Sequence, residues 1–233
     1  MKKYIGIIAA MEEEMLEIRN HMQDIQMKNI YELECIQGKI RQKEIVLVRC
    51  GVGKVNAARV TQLLIDYYPI SYMINIGSAG AISSELKPGD LVIGKSLVQC
   101  DFDISVFQHK KGYIPEIGDE IVNNTQLLQK CGKLVQQIQL ESKYRLKIGK
   151  IASADFFCTQ VEDKKRIQEE FEADCIEMEG AAIAQVCHLD KIDFIIIRGI
   201  SDVPGDNNEI EHENYLSLAS KRAADIAIKL IEH

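Results

Sequence analysis

The chain has 233 residues, of which 46% are hydrophobic and 27% charged, a composition typical of a globular protein. Its net charge is −7 and no stretch concentrates basic residues, which argues against binding to nucleic acids or anionic membranes. No apolar run reaches the length of a membrane span, so we do not expect a membrane protein.

The N-terminus and the cysteines indicate a cytoplasmic location. Lys2 and Lys3 precede a short apolar run, but acidic residues 12–14 follow at once, which favours a first strand and helix over an export signal. The seven cysteines are odd in number and form no CxxC pair, so we expect free thiols. Cys187 and His188 are adjacent but lack the further ligands of a zinc site.

Strands and helices are predicted to alternate along the chain. Residues 3–9 form an apolar strand, and Met11–Met22 places apolar side chains on one side of a helix. The later pattern predicts a hairpin at 31–37 and 44–50 with Gly38 near its turn, a helix at 54–67, strands at 71–76 and 90–98, an irregular segment at 99–122, a helix at 123–140, a strand at 146–153, helices at 161–171 and 180–189, a strand at 192–199, a polar loop at 203–213 and a helix at 214–231.

This alternation predicts an α/β fold. No composition break, linker or internal repeat divides the sequence, so we expect one domain spanning residues 1–233. The expected architecture is a three-layer α/β/α sandwich, in which a central mixed, largely parallel twisted sheet lies between helix layers.

Small or polar residues follow several predicted strands. In open α/β sheets, ligands bind at the carboxyl ends of strands, so these segments are candidates for one shared site. The segments are Met11–Glu14, Gly51–Gly53, a predicted turn at Gly77–Gly80, Ser153–Thr159, Glu177–Glu179 and Arg198–Asp202.

Glu177 and Glu179 lie one residue apart, before a predicted helix. If the chain is extended there, both carboxylates point to the same face and need hydrogen-bond donors, which a ligand rich in hydroxyl groups supplies. The alternative is that both are solvated acids at a helix start, a position that the helix dipole favours. The same alternative applies to Glu12, Glu13 and Glu14.

Three further residues are notable for their type and position, namely Asp202, Arg198 and Phe157. Asp202 follows a buried strand and is a candidate general acid, or else a turn or N-cap residue. Arg198 in an apolar strand requires an acidic partner, most simply as a structural ion pair. Phe157 is able to stack on a flat ring, or else packs in the core.

Six motifs occur in the order of one known family, and together they cover nearly the whole chain. They are Met11-Glu12-Glu13-Glu14, Gly51-Val52-Gly53-Lys54-Val55, Asn75-Ile76-Gly77-Ser78-Ala79-Gly80, Ser153-Ala154-Asp155-Phe156-Phe157, Glu177-Met178-Glu179 and Ile200-Ser201-Asp202-Val203. The chain resembles the bacterial 5′-methylthioadenosine/S-adenosylhomocysteine nucleosidases, of the nucleoside phosphorylase/hydrolase superfamily. The resemblance implies a nucleoside phosphorylase-like fold and hydrolysis of N-glycosidic bonds, with neither a metal nor an organic cofactor.

The resemblance also implies roles for individual residues. Asp202 would protonate N7 of adenine, and Glu14 would polarise the attacking water. Glu179 would accept hydrogen bonds from the ribose hydroxyls, while Phe157 would stack on the adenine. The other substrate-binding residues that the resemblance implies are Met11, Val52, Ser78, Ala79, Gly80, Cys158 through its backbone, Glu177 through the water network, Met178 along the ribose, and Ser201.

Family members form homodimers, and the resemblance extends to that interface. Phe107 and Pro115 would enclose the 5′ substituent bound in a neighbouring subunit. The chain departs from the family near the 5′ group, where the expected aromatic or apolar residue is replaced by His212 or, in another register, Tyr215. The preferred 5′ substituent is therefore left open.

Two rival interpretations remain at this point. A phosphorolytic relative would need cations for phosphate, but Asn75 stands where such enzymes usually carry an arginine. A catalytically silent nucleoside binder would need to lack Glu14 or Asp202, and both are present. A futalosine-type nucleoside is a further alternative as substrate.

Overall fold

A mixed β-sheet runs through the molecule and carries helices on both faces. The computed structural model describes residues 3–123, 126–141, 143–205 and 208–232, and side chains within these ranges except at 138–141. Its ten strands in these ranges are β1 (Tyr4–Ala9), β2 (Gln23–Ile30), β3 (Leu33–Ile40), β4 (Lys43–Arg49), β5 (Ile70–Ala81), β6 (Leu91–Gln99), β7 (Ile121–Val122), β8 (Leu146–Ser153), β9 (Cys175–Glu177) and β10 (Asp193–Asp202). The six α-helices of the same ranges are α1 (Glu12–His21), α2 (Lys54–Tyr67), α3 (Gln126–Glu141), α4 (Val161–Phe171), α5 (Gly180–Leu189) and α6 (Asn208–Glu232).

The central strands of the sheet are parallel. Strand β1 lies between β4 and β5, and β5 pairs on its other side with β10. Antiparallel pairs extend the sheet through β3 and β2 at one end and join β10 to β6 at the other. Strands β8 and β9 follow β6, and β9 returns to the end of β5. The pairings of β5, β10, β6, β8 and β9 therefore form a closed ring, a closure that the sequence pattern did not predict.

Two apolar cores fill the space between the sheet and the helices. Helices α1, α3 and α6 pack on one face, against Ile7 of β1 and Ile195 of β10. Helices α2 and α5 pack on the opposite face, against the next residues along the same strands, Ile8 and Ile196. This alternation is the period of two expected for a strand buried on both faces. The predicted α/β/α arrangement around a mixed sheet is confirmed.

None of the helices in the ranges given above is both long and apolar enough to cross a membrane.

The predicted boundaries were right for several elements. Helices α2, α4 and α5 and strand β8 begin and end at the predicted residues. The predicted helix at 123–140 corresponds to α3, but residues 124–125 and the side chains of 138–140 lie outside the described residues.

The first hairpin was predicted wrongly in two respects. The turn falls at Arg41 and Gln42, and Gly38 lies inside β3. A Cβ atom at position 38 would lie 2.8 Å from the backbone oxygen of Gln23, so this glycine permits close approach of the neighbouring strand. That neighbour, β2, was not predicted at all; seven of its eight residues are exposed, as is common for an edge strand.

Two strands extend further than predicted, and both extensions lie at the candidate site. Gly77–Gly80 was predicted as a turn but forms the end of β5, where it pairs with Arg198–Asp202 of β10. The last strand was predicted to end at Gly199 but continues to Asp202. The polar loop predicted at 203–213 is shorter, because α6 begins at Asn208; residues 206–207 lie outside the described residues.

Candidate active site

Strand ends surround a cavity of about 170 Å³. The parallel strands β1, β4, β5 and β10 present their carboxyl ends to it, as expected for a ligand site in an α/β sheet. Its lining residues are Ala10, Met11, Glu14, Val52, Ser78, Ala79, Gly80, Phe156, Phe157, Cys158, Ile176, Glu177, Met178, Glu179, Ser201, Asp202 and His212. Every residue predicted for catalysis or for substrate binding within one subunit lies in this set.

Glu14 faces inward from the first turn of α1 and is only 3% exposed. Its Oε2 atom accepts hydrogen bonds from the backbone N–H groups of Ala10 at 2.9 Å and Met11 at 3.1 Å. Its Oε1 atom accepts one from the backbone N–H of Ser78 at 2.9 Å and lies 3.4 Å from the Ser78 hydroxyl. Glu12 and Glu13 are exposed, so the helix-start interpretation holds for these two acids and not for Glu14.

Arg198 has acidic partners, as its place in an apolar strand required. Its Nε atom donates to Glu177 Oε2 at 3.0 Å, and its Nη2 atom donates to the same oxygen. The Nη2 atom also donates to Asn75 Oδ1 at 2.6 Å and lies 3.7 Å from Glu179 Oε2. Burial acts to lower the pKa of the guanidinium, but the charges of Glu177, Glu179 and Glu14 outweigh burial and hold that pKa above its usual range.

Gly77 makes room for this ion cluster. A Cβ atom at position 77 would lie 2.5 Å from Arg198 Nη1 and 2.8 Å from Glu14 Oε1. Any larger residue would therefore displace the arginine or the glutamate.

The chain is not extended from Glu177 to Glu179, so the condition for two carboxylates on one strand face is not met; both residues are buried, so neither is a solvated acid at a helix start. Strand β9 ends at Glu177, and Glu179 occupies the N-cap position of α5 without a side-chain capping hydrogen bond. The Glu177 carboxylate accepts hydrogen bonds from the backbone N–H groups of Glu179 at 3.0 Å and Gly180 at 2.7 Å, and from the Ser153 hydroxyl. The protein itself therefore supplies the donors that Glu177 needs.

Glu179 has fewer donors, and its carboxylate remains available to a ligand. The backbone N–H of Gly53 donates to its Oε1 atom at 2.9 Å. Burial and the nearby charges of Glu177 and Glu14 raise the pKa of Glu179 to about 7, while Arg198 and the Gly53 N–H act in the opposite direction. A ligand with hydroxyl groups would add the missing donors and favour the ionised form.

Asp202 is the last residue of β10 and is 1% exposed. Its Oδ1 atom accepts a hydrogen bond from the Ser201 hydroxyl at 2.7 Å, and its Oδ2 atom accepts one from Asn208 Nδ2 at 3.0 Å. Asn208 Nδ2 also donates to the backbone oxygen of Cys158 at 3.0 Å. The turn and N-cap interpretations are therefore wrong, because Asp202 is a buried strand residue that faces the cavity.

The remaining wall of the cavity is apolar. Phe157 is 42% exposed, which places it at the surface of the cavity and not in the core. Phe156, Ile176 and Met178 continue this wall.

Burial, with the charges of Asp163 and Asp202, raises the pKa of the Cys158 thiol to about 11, so this thiol stays protonated at neutral pH.

Phe107 and Pro115 are exposed and do not line the cavity. The sequence did not predict the apolar lining residues Ala10 and Ile176, and it did not single out Phe156 within the candidate segment Ser153–Thr159. The sequence also did not predict the hydrogen bonds of this network, in which Ser153 and Asn208 donate to the carboxylates of Glu177 and Asp202, and Asn75 accepts from Arg198. Among the residues that the structure describes, no cluster of three or more His, Cys, Asp or Glu is arranged to hold a metal ion.

Comparison with known proteins identifies the family. The sequence profile of the phosphorylase superfamily matches residues 4–232. The chain belongs to this superfamily. Within the phosphorylase superfamily, the chain is 37% identical over 229 residues to a 5′-methylthioadenosine/S-adenosylhomocysteine nucleosidase of Staphylococcus haemolyticus, covering 98% of this chain and 99% of that protein. The resemblance to these nucleosidases that the motifs indicate is confirmed.

Solved structures of the phosphorylase superfamily have the same fold. A 5′-methylthioadenosine/S-adenosylhomocysteine nucleosidase from Colwellia psychrerythraea, in complex with adenine, is similar with a TM-score of 0.94 and 30% identity, covering 100% of this chain and 96% of that chain. A futalosine hydrolase of Helicobacter pylori is similar with a TM-score of 0.93 and 28% identity, covering 99% of this chain and 97% of that chain.

Proposed function

We propose that this protein hydrolyses the N-glycosidic bond of 5′-methylthioadenosine and S-adenosylhomocysteine, releasing adenine and the 5′-substituted ribose. The proposal includes 5′-deoxyadenosine as a further substrate. The observation that carries it is the pairing of two buried carboxyl groups, Glu14 and Asp202, in one cavity with an apolar wall. Hydrolysis of a glycoside commonly uses two carboxyl groups, one as the acid at the leaving group and the other to activate the water.

Asp202 is proposed as the general acid. Bond cleavage leaves negative charge on the purine, and a proton delivered to N7 turns the base into a better leaving group. Burial at 1% exposure, with Ser201 and Asn208 on its two oxygens, fixes the carboxyl group at the cavity wall. In this pose Phe157 stacks on the purine, and the backbone of Cys158 contacts its edge.

Glu14 is proposed to orient and deprotonate the attacking water. Its two oxygens accept hydrogen bonds from three backbone N–H groups. These bonds hold the carboxylate at the cavity, beside the Ser78 hydroxyl. The water adds to the anomeric carbon and gives a proton to Glu14, while Asp202 has given one to the base. One turnover therefore leaves Glu14 with an extra proton and Asp202 without its own.

Glu179 and Met178 are proposed to hold the ribose. The Glu179 carboxylate accepts hydrogen bonds from the ribose hydroxyls, for which the donors present in the protein leave capacity. Positive charge develops on the sugar in the transition state, and the acidic groups of the cavity stabilise it. Glu177 supports this arrangement through Arg198, which balances part of the negative charge.

The charge of the cavity supports hydrolysis over phosphorolysis. Its lining contains Glu14, Glu177, Glu179 and Asp202 and, within the described residues, no lysine or arginine. The nearby Arg198 is occupied by its acidic partners and Asn75. Phosphate would therefore meet repulsion without the cationic donors that phosphate sites use.

Three further parts of the proposal concern the setting of the reaction. We propose a homodimer in which Phe107 and Pro115 of each subunit complete the other subunit's cavity; their exposure supports this. A cytoplasmic location and a role in methionine and purine salvage are proposed with it.

The deciding experiment is incubation of the purified protein with 5′-methylthioadenosine, with and without phosphate, followed by chromatography of the products. We expect free adenine and methylthioribose at a rate independent of phosphate. Formation of methylthioribose 1-phosphate would instead identify a phosphorylase, and binding without turnover would identify a nucleoside-binding protein.

A futalosine-type nucleoside is the second candidate substrate, which the similarity to the Helicobacter pylori futalosine hydrolase favours. The ratio of kcat/KM for futalosine, 5′-methylthioadenosine and S-adenosylhomocysteine decides between the two. A higher value for futalosine would replace the main proposal.

A further inference from the structure

His212 contacts the buried carboxyl group of Asp202 through a single hydroxyl group. Its Nδ1 atom lies 3.0 Å from the Ser201 hydroxyl oxygen, which lies 2.7 Å from Asp202 Oδ1. The direct distance between His212 Nδ1 and Asp202 Oδ1 is 3.7 Å, too long for a hydrogen bond. Ser201 therefore connects the imidazole to the carboxyl group.

The three residues differ in their access to water. Asp202 and Ser201 are buried, at 1% and 0% exposure. The His212 side chain is 23% exposed and lies near the edge of the Phe157 ring, with the ring centres 5.5 Å apart. The chain of hydrogen bonds thus leads from a carboxyl group with almost no solvent contact to an imidazole that water reaches.

The hydrogen bonds of this chain have two possible directions. With Asp202 ionised, the Ser201 hydroxyl donates to Asp202 Oδ1, and His212 Nδ1 must carry the proton that it donates to Ser201 Oγ. With Asp202 protonated on Oδ1, the carboxyl group donates to Ser201 Oγ, and Ser201 donates to an unprotonated Nδ1. The two states differ by one proton transferred from His212 to Asp202.

The groups around His212 leave this transfer unobstructed. From β10 it faces Ser201 and Asp202, and from the segment after β8 it faces the uncharged Phe157. On its own helix the preceding residue, Glu211, accepts a hydrogen bond from the backbone N–H of Val203. Asp202 is the only acid recorded in ion-pair range of the His212 ring among the described residues.

We propose that His212 and Ser201 form a proton relay that reloads Asp202 between turnovers. The proposal rests on the proposed function, in which each turnover takes the Asp202 proton into adenine. His212 in its cationic form gives the Nδ1 proton to Ser201 Oγ as Ser201 gives its own proton to Asp202 Oδ1. The imidazole keeps its Nε2 proton and becomes neutral, and it takes a new Nδ1 proton from water when the side chain turns outward. The proton that water left on Glu14 returns to the solvent, so no charge accumulates.

Rapid-mixing measurement of adenine release tests the relay. The variants are His212→Ala, and His212→Gln, which keeps an amide near Ser201 but cannot carry a proton. We expect the first turnover of each active site at nearly the wild-type rate, because in the proposed mechanism the relay acts only after Asp202 has given its proton to the base. The steady-state rate should then fall by about 10²–10⁴-fold, the range attributed to proton-transfer groups. Added imidazole should restore the steady-state rate of His212→Ala without changing the first turnover.

Each other outcome contradicts the relay. Equal slowing of the first and later turnovers would assign His212 to packing or substrate binding, and unchanged kinetics would assign it no role in turnover. If the first turnover is fast and later turnovers stay slow even with added imidazole, the slow step is product release. The exposed Glu213→Gln serves as the control on the same helix and should behave as wild type. If the wild-type protein releases no adenine, it is the proposed function that fails.

Discussion

Arg198 and Glu177 form an ion pair inside the sheet, with side chains only 1% and 2% exposed. Arg198 comes from β10 and Glu177 from β9, two strands that do not pair with each other but belong to the same ring of pairings. Around this pair lie Asn75, Glu179 and Glu14, so one buried cation stabilises three carboxylates.

Removal of this cation should destabilise the protein strongly. We expect Arg198→Met to lower the free energy of unfolding by about 3–5 kcal/mol, the usual cost of leaving a buried charge unpaired. Urea denaturation measures this change. Adding Glu177→Gln should recover part of the loss, because one uncompensated charge disappears.

The matched control is Arg166→Met on α4, whose ion pairs with Asp163 and Glu170 lie at the surface. Exposed pairs contribute about 0–1 kcal/mol, so this variant should remain close to wild type. Equal losses for the two arginine variants would contradict the role given to the buried cluster.

Asp202→Asn tests the general acid. The amide preserves the size of the side chain but has no acidic proton, so kcat should fall by about 10²–10⁴-fold. The assay is adenine release at saturating substrate, with thermal unfolding as a check on the fold. Asp190→Asn, at the exposed end of α5, is the control. Unchanged turnover in Asp202→Asn would move the acid role to another group.

Glu179 should make stability depend on pH. Its pKa is raised from 4.5 to about 7 by burial and by neighbouring acids, so the folded state holds this proton more tightly than the unfolded state does. The stabilisation from the protonated form is complete below pH 4.5 and is lost as the pH rises through about 7. The free energy of unfolding of wild type should therefore fall relative to that of Glu179→Gln as the pH increases from 4.5 to 7.

Substrate affinity should follow the opposite trend, because the ribose hydroxyls need an ionised acceptor. Isothermal titration with a non-hydrolysable nucleoside should show binding that strengthens through pH 7 in wild type and is flat in Glu179→Gln. A pH-independent difference in stability between the two proteins would contradict the raised pKa.

Gly199→Ala tests the contact between β10 and α6. A Cβ atom at position 199 would lie 2.2 Å from the backbone oxygen of Ala219, and backbone atoms of a packed helix do not move aside easily. Overpacking of this kind costs typically about 1–3 kcal/mol. Gly132→Ala provides the contrast, since this position in α3 has space and alanine favours a helix by about 1 kcal/mol. Thermal unfolding of both variants should shift the midpoint in opposite directions.

The sequence indicated the location of the site better than the extent of its strands. Glycines and serines after an apolar run resemble a turn, so Gly77–Gly80 and Asp202 were placed outside strands. Their strand conformation depends on the partner strand, which supplies hydrogen bonds that no local pattern encodes. The same limit applies to β2, whose exposed residues form a strand because β3 lies beside them.

The choice between interpretations of single acids also depended on the tertiary structure. Glu12, Glu13 and Glu14 have equal helix-start signals, and Glu14 differs from its neighbours in being buried and in accepting hydrogen bonds from Ala10, Met11 and Ser78. Ser153 and Asn208 could not be predicted as holders of carboxylates, because their partners lie on other elements of the chain. The six ordered motifs supplied what periodicity could not, since their spacing reflects the whole fold.

The position of β10 between β5 and β6 has a consequence for the protein during its synthesis. Glu14, Glu177 and Glu179 all leave the ribosome before Arg198 and Asp202, so the nascent chain carries the acids of the site before their cation exists. The sheet is incomplete until this strand is inserted beside partners made more than a hundred residues earlier, a long-range step of the kind that slows folding. The cavity therefore forms only after β10 has been made, and any chain that ends before residue 202 lacks the proposed acid Asp202.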